Sequence, residues 1–258
     1  MQILAACFAF LGLLAVLLVR RNPAFVAQRT DMGTLADQLT VREALKEKQL
    51  YLLFVMDLLS IFPLIYLPSV FKTMGMQLGG IDDKFLTLVG SIGSVANGLS
   101  RIVWGPLQDK IGFKAIYRTV LVTELVVCAL MTTVVRTNRY LYLLWVFLTY
   151  LCLGAHFVIF PNVIVKVFGL RSGVTLSSLI YSTRCLSALG GLFISQALVR
   201  RFGDASYSIM FYTSCVFIVL VAIMQAACLA DSPIRKQVGP EKEQLLQRVS
   251  ESATNQFD

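Results

Sequence analysis

Apolar residues in this chain gather into seven blocks, over residues 1–19, 49–71, 85–107, 115–135, 141–166, 175–199 and 206–230. Wound as an α-helix, about 20 such residues cross the roughly 30 Å of hydrocarbon in a bilayer. No block shows the strict alternation of a barrel strand. Backbone groups in lipid must be satisfied within the segment, so each block is read as a transmembrane helix. The prediction is an all-α polytopic membrane bundle of about seven helices. Polar stretches divide it unevenly: one span at 1–19, a polar segment at 20–48, six closely spaced spans over 49–230 and a polar tail at 231–258. The first block has no basic start and runs into Arg20 and Arg21 instead of a small-residue cleavage site, so it reads as a span and not as a cleaved signal. Inside the polar segment, Thr40 followed by Glu43 forms a capping-box pattern that starts a short helix.

Composition agrees with the pattern. Hydrophobic residues make up 57% of the chain and charged residues 15%, with a mean hydropathy of +0.72; this is an integral, multi-pass membrane protein. The lipid bilayer is thus its first partner. The net charge of +8 follows from topology: fifteen Lys and Arg fall on one side of the seven spans and six on the other. The positive-inside rule then places the N-terminus outside and the tail in the cytoplasm, without naming the membrane. No basic, aromatic-interleaved soluble domain exists to bind nucleic acid. All six cysteines lie inside the blocks and are read as small packing residues. No nucleophile pairing, metal-ligand cluster or phosphate loop is present in the sequence, so the expectation is no enzyme, no catalytic residue, no metal and no cofactor.

Two features carry chemistry. The run Gly105-Pro106-Leu107-Gln108-Asp109-Lys110-Ile111-Gly112-Phe113-Lys114 reads as a tight loop between two spans. Gly105 allows close backbone approach, Asp109 is placed to accept from free N–H groups at a helix start, and Gly112 supplies a backbone conformation that other residues adopt poorly. The second feature is a set of ionisable residues at membrane depth. Arg101 lies six residues before the end of its block and Arg184 nine residues into its own, which is roughly 9 and 14 Å from the same side. A guanidinium in lipid must face protein or water, and its planar fork matches a carboxylate. Snorkelling to the interface stays open for Arg101, and a structural ion pair with Asp57 or Glu124 stays open for Arg184. Asp57 and His156 are candidates for proton coupling, Asp57 beside Arg101, while Glu124 reads as structural. Gly90, Ser94 and Gly98 recur every four residues and predict a face for close helix approach. Tyr181 and Asn162 are candidate cavity residues.

The spacing Gly105-x-x-x-Asp109-Lys110-x-Gly112-x-Lys114 resembles the cytoplasmic loop signature of the major facilitator superfamily. Further pieces occur in one order: Leu39-Thr40-Val41-Arg42-Glu43-Ala44-Leu45, Asn97-Gly98-Leu99-Ser100-Arg101, Gly154-Ala155-His156-Phe157-Val158-Ile159-Phe160-Pro161 and Ile180-Tyr181-Ser182-Thr183-Arg184. Together they look like the oxalate/formate antiporter branch, relatives of the monocarboxylate transporters, over about residues 37–200. The resemblance implies that 1–19 is the equivalent of helix six, 20–48 the central cytoplasmic loop, and 49–230 the six-helix C-terminal half of a twelve-helix facilitator fold. An N-terminal six-helix half would then be missing or supplied separately. It implies a secondary transporter of small mono- or dicarboxylates, antiporter or symporter, in which Arg101, Arg184 and Tyr181 bind substrate. Alternatives are a transport-incompetent half or structural partner, and a seven-helix receptor, against which the signature run and the long polar segment speak.

Overall fold

In a computed structural model, residues 39–228 are described. The expected span at 1–19, residues 20–38 of the polar segment and the tail lie outside them. Among the described residues the structure is helical throughout. Thr40 caps α1 (Val41–Ala44) through the expected capping box, its backbone N–H donating to Glu43 Oε2 at 2.8 Å. Six long helices follow: α2 (Lys48–Gly79), α3 (Asp83–Ile111), α4 (Phe113–Thr137), α5 (Arg139–Phe168), α6 (Leu170–Phe202) and α7 (Ala205–Cys228). They coincide with the six predicted spans, and α2 to α6 are longer than predicted. At 32 residues α2 reaches about 48 Å, well beyond the hydrocarbon thickness. Four helices, α2, α3, α5 and α6, wind on until a glycine follows them: Gly80, Gly112, Gly169 and Gly203 all have positive φ, whereas α4 is followed by Asn138.

Five of these helices, all but α6, are long and apolar enough to cross a membrane. Helix α6 occupies the predicted sixth position, yet its composition is diluted by Ser172, Thr175, Ser177, Ser178, Ser182, Thr183 and Arg184. A helix this polar is tolerated at membrane depth when its polar side turns to protein or to a cavity. Helices α2 and α5 are apolar on all sides and sit at the centre of the bundle. Leu53, Met56, Leu64, Tyr117, Tyr142, Ile159 and Phe160 from α2, α4 and α5 form the middle of the core, each almost fully buried. Helix α3 is the most exposed of the apolar five and packs chiefly along α5.

The α3–α5 seam corrects one expectation. Gly90 lies close only to the Phe71 ring, Ser94 is exposed, and Gly98 has no atom within 4 Å of where a Cβ would stand. Close approach occurs on the adjoining face, where Gly154 of α5 meets Asn97 and Ser100 of α3; a Cβ there would fall 1.8 Å from Ser100 Oγ. The indole of Trp104 adds a hydrogen bond to the Leu151 carbonyl at 3.2 Å across the same seam.

The signature run is also corrected. Helix α3 continues through Gly105, Pro106, Asp109 and Lys110 to Ile111, and the turn consists of Gly112 alone, with φ +90°. Gly112 therefore does the conformational work expected of it. Asp109 does not cap α4, whose N-terminal cap is Gly112 with no side-chain bond; Asp109 is exposed in the last turn of α3. Gln108 carries the contacts instead, donating to the Ile159 carbonyl at 3.1 Å and accepting from Asn162 Nδ2 at 3.2 Å. Lys110 is exposed, and the Lys114 carbonyl accepts from Gln225 of α7 at 2.7 Å.

Candidate functional site

The longer helices place the intramembrane charges farther from the helix ends than from the edges of the apolar blocks. Arg101 is ten residues from the end of α3 and Arg184 fourteen from the start of α6, roughly 15 and 21 Å along the axes. Both point toward Phe157 of α5, with guanidinium carbons 4.2 and 5.4 Å from its ring centroid. Their separation therefore cannot exceed the sum of those two distances. Tyr181 completes the group: its ring lies 4.6 Å from the Arg184 guanidinium carbon. Arg101 is exposed and makes a long 3.4 Å contact to Asn97 Oδ1.

Tyr181 is held by a backbone defect. Pro161 has no N–H to return to the Phe157 carbonyl four residues back. The Tyr181 hydroxyl donates to that carbonyl at 2.9 Å, tying α6 to α5 beside the proline.

Behind this face lies a fully internal polar chain. Of the two partners left open for Arg184, the structure has Asp57 of α2 and not Glu124, and Asp57 lies against Arg184 instead of beside Arg101. Arg184 Nη1 pairs with Asp57 Oδ2, and the Thr183 hydroxyl donates to the same oxygen at 2.5 Å. Arg184 Nη2 donates to the His156 carbonyl at 3.2 Å, while Nε has no partner among the described residues. Asp57 Oδ1 faces His156 Nδ1 at 3.2 Å, and His156 Nε2 faces Glu124 Oε1 of α4 at 2.9 Å. Asp57, His156 and Glu124 are all essentially inaccessible. The imidazole is stacked on Phe160 and meets the edge of Tyr117, whose hydroxyl shares a hydrogen bond with Ser60 of α2 at 2.8 Å.

The five ionisable or aromatic candidates thus occupy one continuous region: Arg101, Tyr181 and Arg184 at its face, Asp57 and His156 inside. Glu124 belongs to the same chain. Sequence reasoning passed over Phe157 and Thr183. Each neighbours a candidate residue, but a phenylalanine or a threonine in a membrane helix has no charge to set it apart. Among the described residues no group of His, Cys, Asp and Glu is arranged to hold a metal ion.

The model of the Major Facilitator Superfamily matches residues 53–255. The chain belongs to the Major Facilitator Superfamily. This places it among membrane transport proteins and not among enzymes. It is also 24% identical over 156 residues to Apicoplast pyruvate carrier 1 of Toxoplasma gondii, a match covering 60% of this chain and 28% of that protein. The match therefore spans little more than a quarter of the length of this relative.

Proposed function

We propose that the protein is a secondary carrier of small organic anions, mono- or dicarboxylates, that works by alternating access. The observation that carries this is the pair of guanidinium groups on Phe157, one of them with an uncommitted Nε–H. Two forks facing one ring suit a carboxylate held on one side and a second acceptor on the other. In this reading Arg184 and Arg101 recognise the anion, Tyr181 positions Arg184, and Asp57 and His156 lie where a coupled proton would be held. A relative named as a pyruvate carrier supports a carboxylate substrate.

The rest of the arrangement follows the facilitator pattern. Residues 1–19 correspond to helix six, 20–48 to the cytoplasmic central loop and 49–230 to the C-terminal half; a further six-helix half supplies the opposite wall, with the tail in the cytoplasm. The run from Gly105 to Lys114, with Asp109, Lys110 and Gly112, is the conformational element at the cytoplasmic ends of α3 and α4.

Uptake of labelled pyruvate and oxalate into vesicles carrying the protein together with a facilitator N-terminal half tests the reading. Saturable uptake that disappears in Arg184→Ala at equal membrane abundance is expected. Uptake of both anions unchanged by that substitution would refute it.

A further inference from the structure

On the Gly203 side of Arg184, α2 and α6 enclose a cleft of about 310 Å³. Its α6 wall includes Ser187, Ala188, Gly191 and Ser195, which follow Arg184 at steps of three and four residues. They therefore share the helix face that carries the guanidinium. Along the axis they lie roughly 5 to 17 Å beyond it. Ser187 bridges the near end by donating to the Leu58 carbonyl of α2 at 3.2 Å, and the cleft widens after that contact.

Farther along stands a hydroxyl with nothing to bond. Tyr66 of α2 is only 4% exposed, and its ring is held edge-on against Phe211 with centroids 5.7 Å apart. Its Oη has no hydrogen-bond partner among the described residues. Ser195 is close enough to interact with it but does not stand in hydrogen-bond geometry. Ser69 is already committed, donating to the Tyr66 carbonyl at 2.6 Å. A buried hydroxyl left unpaired is destabilising, and a phenylalanine would make the same contact with Phe211 without that cost. The hydroxyl is accounted for if something else in the cleft accepts from it.

The remaining lining decides what that can be. Ile65 and Val70 of α2 and Ala188 and Leu192 of α6 give apolar walls, and no lining residue is Asp, Glu, Lys, Arg or His. A carboxylate placed here would be a charge in an apolar cleft without a counter-ion, whereas an uncharged oxygen needs only the Tyr66 donor. Gly191 leaves room for a body beside that oxygen. A Cβ there would meet only Phe62, at an ordinary 3.7 Å, so helix packing does not require the glycine.

We propose that this cleft is a second binding site, separate from the guanidinium pair, for an uncharged small amphiphile: a ketone or alcohol on an apolar, ring-bearing body. The ligand oxygen accepts from Tyr66 Oη. Its body lies between Ile65 and Val70 on one side and Ala188 and Leu192 on the other, and the exposed Gln196 amide stands at the rim for any further polar group. This goes beyond the anion-carrier reading and does not depend on it, because no residue assigned to the anion lines the cleft.

The test uses 4-methylbenzophenone, an uncharged photoreactive ketone, and 4-benzoylbenzoate, which has the same shape with a carboxylate in place of the methyl group. Each is irradiated with the intact protein in lipid nanodiscs, and labelled peptides are identified by mass spectrometry. Saturable labelling of residues 65–70 and 187–196 by the ketone is expected. Tyr66→Phe keeps the Phe211 contact and should raise the half-saturation concentration about fivefold, the loss of one hydrogen bond. The carboxylate should label these segments at least about tenfold less at equal concentration. Gly191→Leu, which fills the cleft, should abolish saturable labelling. Labelling that only rises in proportion to the ketone, as partition into lipid would give, overturns the proposal. So does a half-saturation unmoved by Tyr66→Phe, equal labelling by the carboxylate, or undiminished labelling of a folded Gly191→Leu. Should Gly191→Leu not fold, Tyr66→Phe and the carboxylate decide.

Discussion

Asp57 receives a guanidinium, a hydroxyl and an imidazole while having no contact with solvent. Removing its cation alone is therefore more damaging than removing the pair. Arg184→Ala should lower stability by about 3–5 kcal/mol, the usual cost of stranding a buried charge, measured as thermal unfolding in detergent. Adding Asp57→Asn to that variant should recover most of the loss without restoring anion uptake. Arg184→Lys, which keeps the charge but not the planar fork, should retain partial uptake. These residues were legible in the sequence because an ionisable side chain inside an apolar block stands out at once. Their pairing was not: Asp57 and Arg184 are 127 positions apart, and nothing local chooses between Asp57 and Glu124 as the partner. Periodicity places a residue on a helix; only packing decides what it meets.

Helices were found where the apolar blocks lay, yet five of the six described spans, all but the last, were read too short. The blocks record how deep a residue sits, whereas winding is ended by backbone chemistry, as at Gly112. The same distinction explains the misplaced small-residue face. Spacing alone cannot separate Gly98, which has open space around it, from Gly154, which is pressed against Asn97 and Ser100. Gly154→Ala should cost about 1–3 kcal/mol through overpacking, whereas Gly98→Ala should be neutral or gain up to about 1 kcal/mol of helix propensity. Melting temperatures of the two variants, compared side by side, check this. Where α5 and α6 meet, Tyr181→Phe keeps the ring over Arg184 but removes the hydroxyl that serves the Phe157 carbonyl beside Pro161. Such a bond is worth about 1 kcal/mol. Anion affinity in Tyr181→Phe should fall up to about tenfold, with expression unchanged, in the uptake assay used for Arg184.

Taken as a whole, the described bundle turns its candidate recognition residues outward along α3 and α6, with Arg101 exposed. A cavity needs a second wall, so residues 1–258 reconstituted alone should show no saturable pyruvate exchange, and supplying a facilitator N-terminal half should restore it. Saturable exchange by the isolated chain would contradict that expectation. One consequence of the Asp57–Arg184 pair reaches beyond stability. Asp57 is a carboxylate that can never diffuse away, so it competes for the guanidinium at an effective concentration of millimolar order or more, whatever the solution contains. A scarce carboxylate loses that contest. On the anion-carrier reading, the pair favours abundant cargo and closes again once cargo leaves, so that Arg184 is not left unpaired in the empty state.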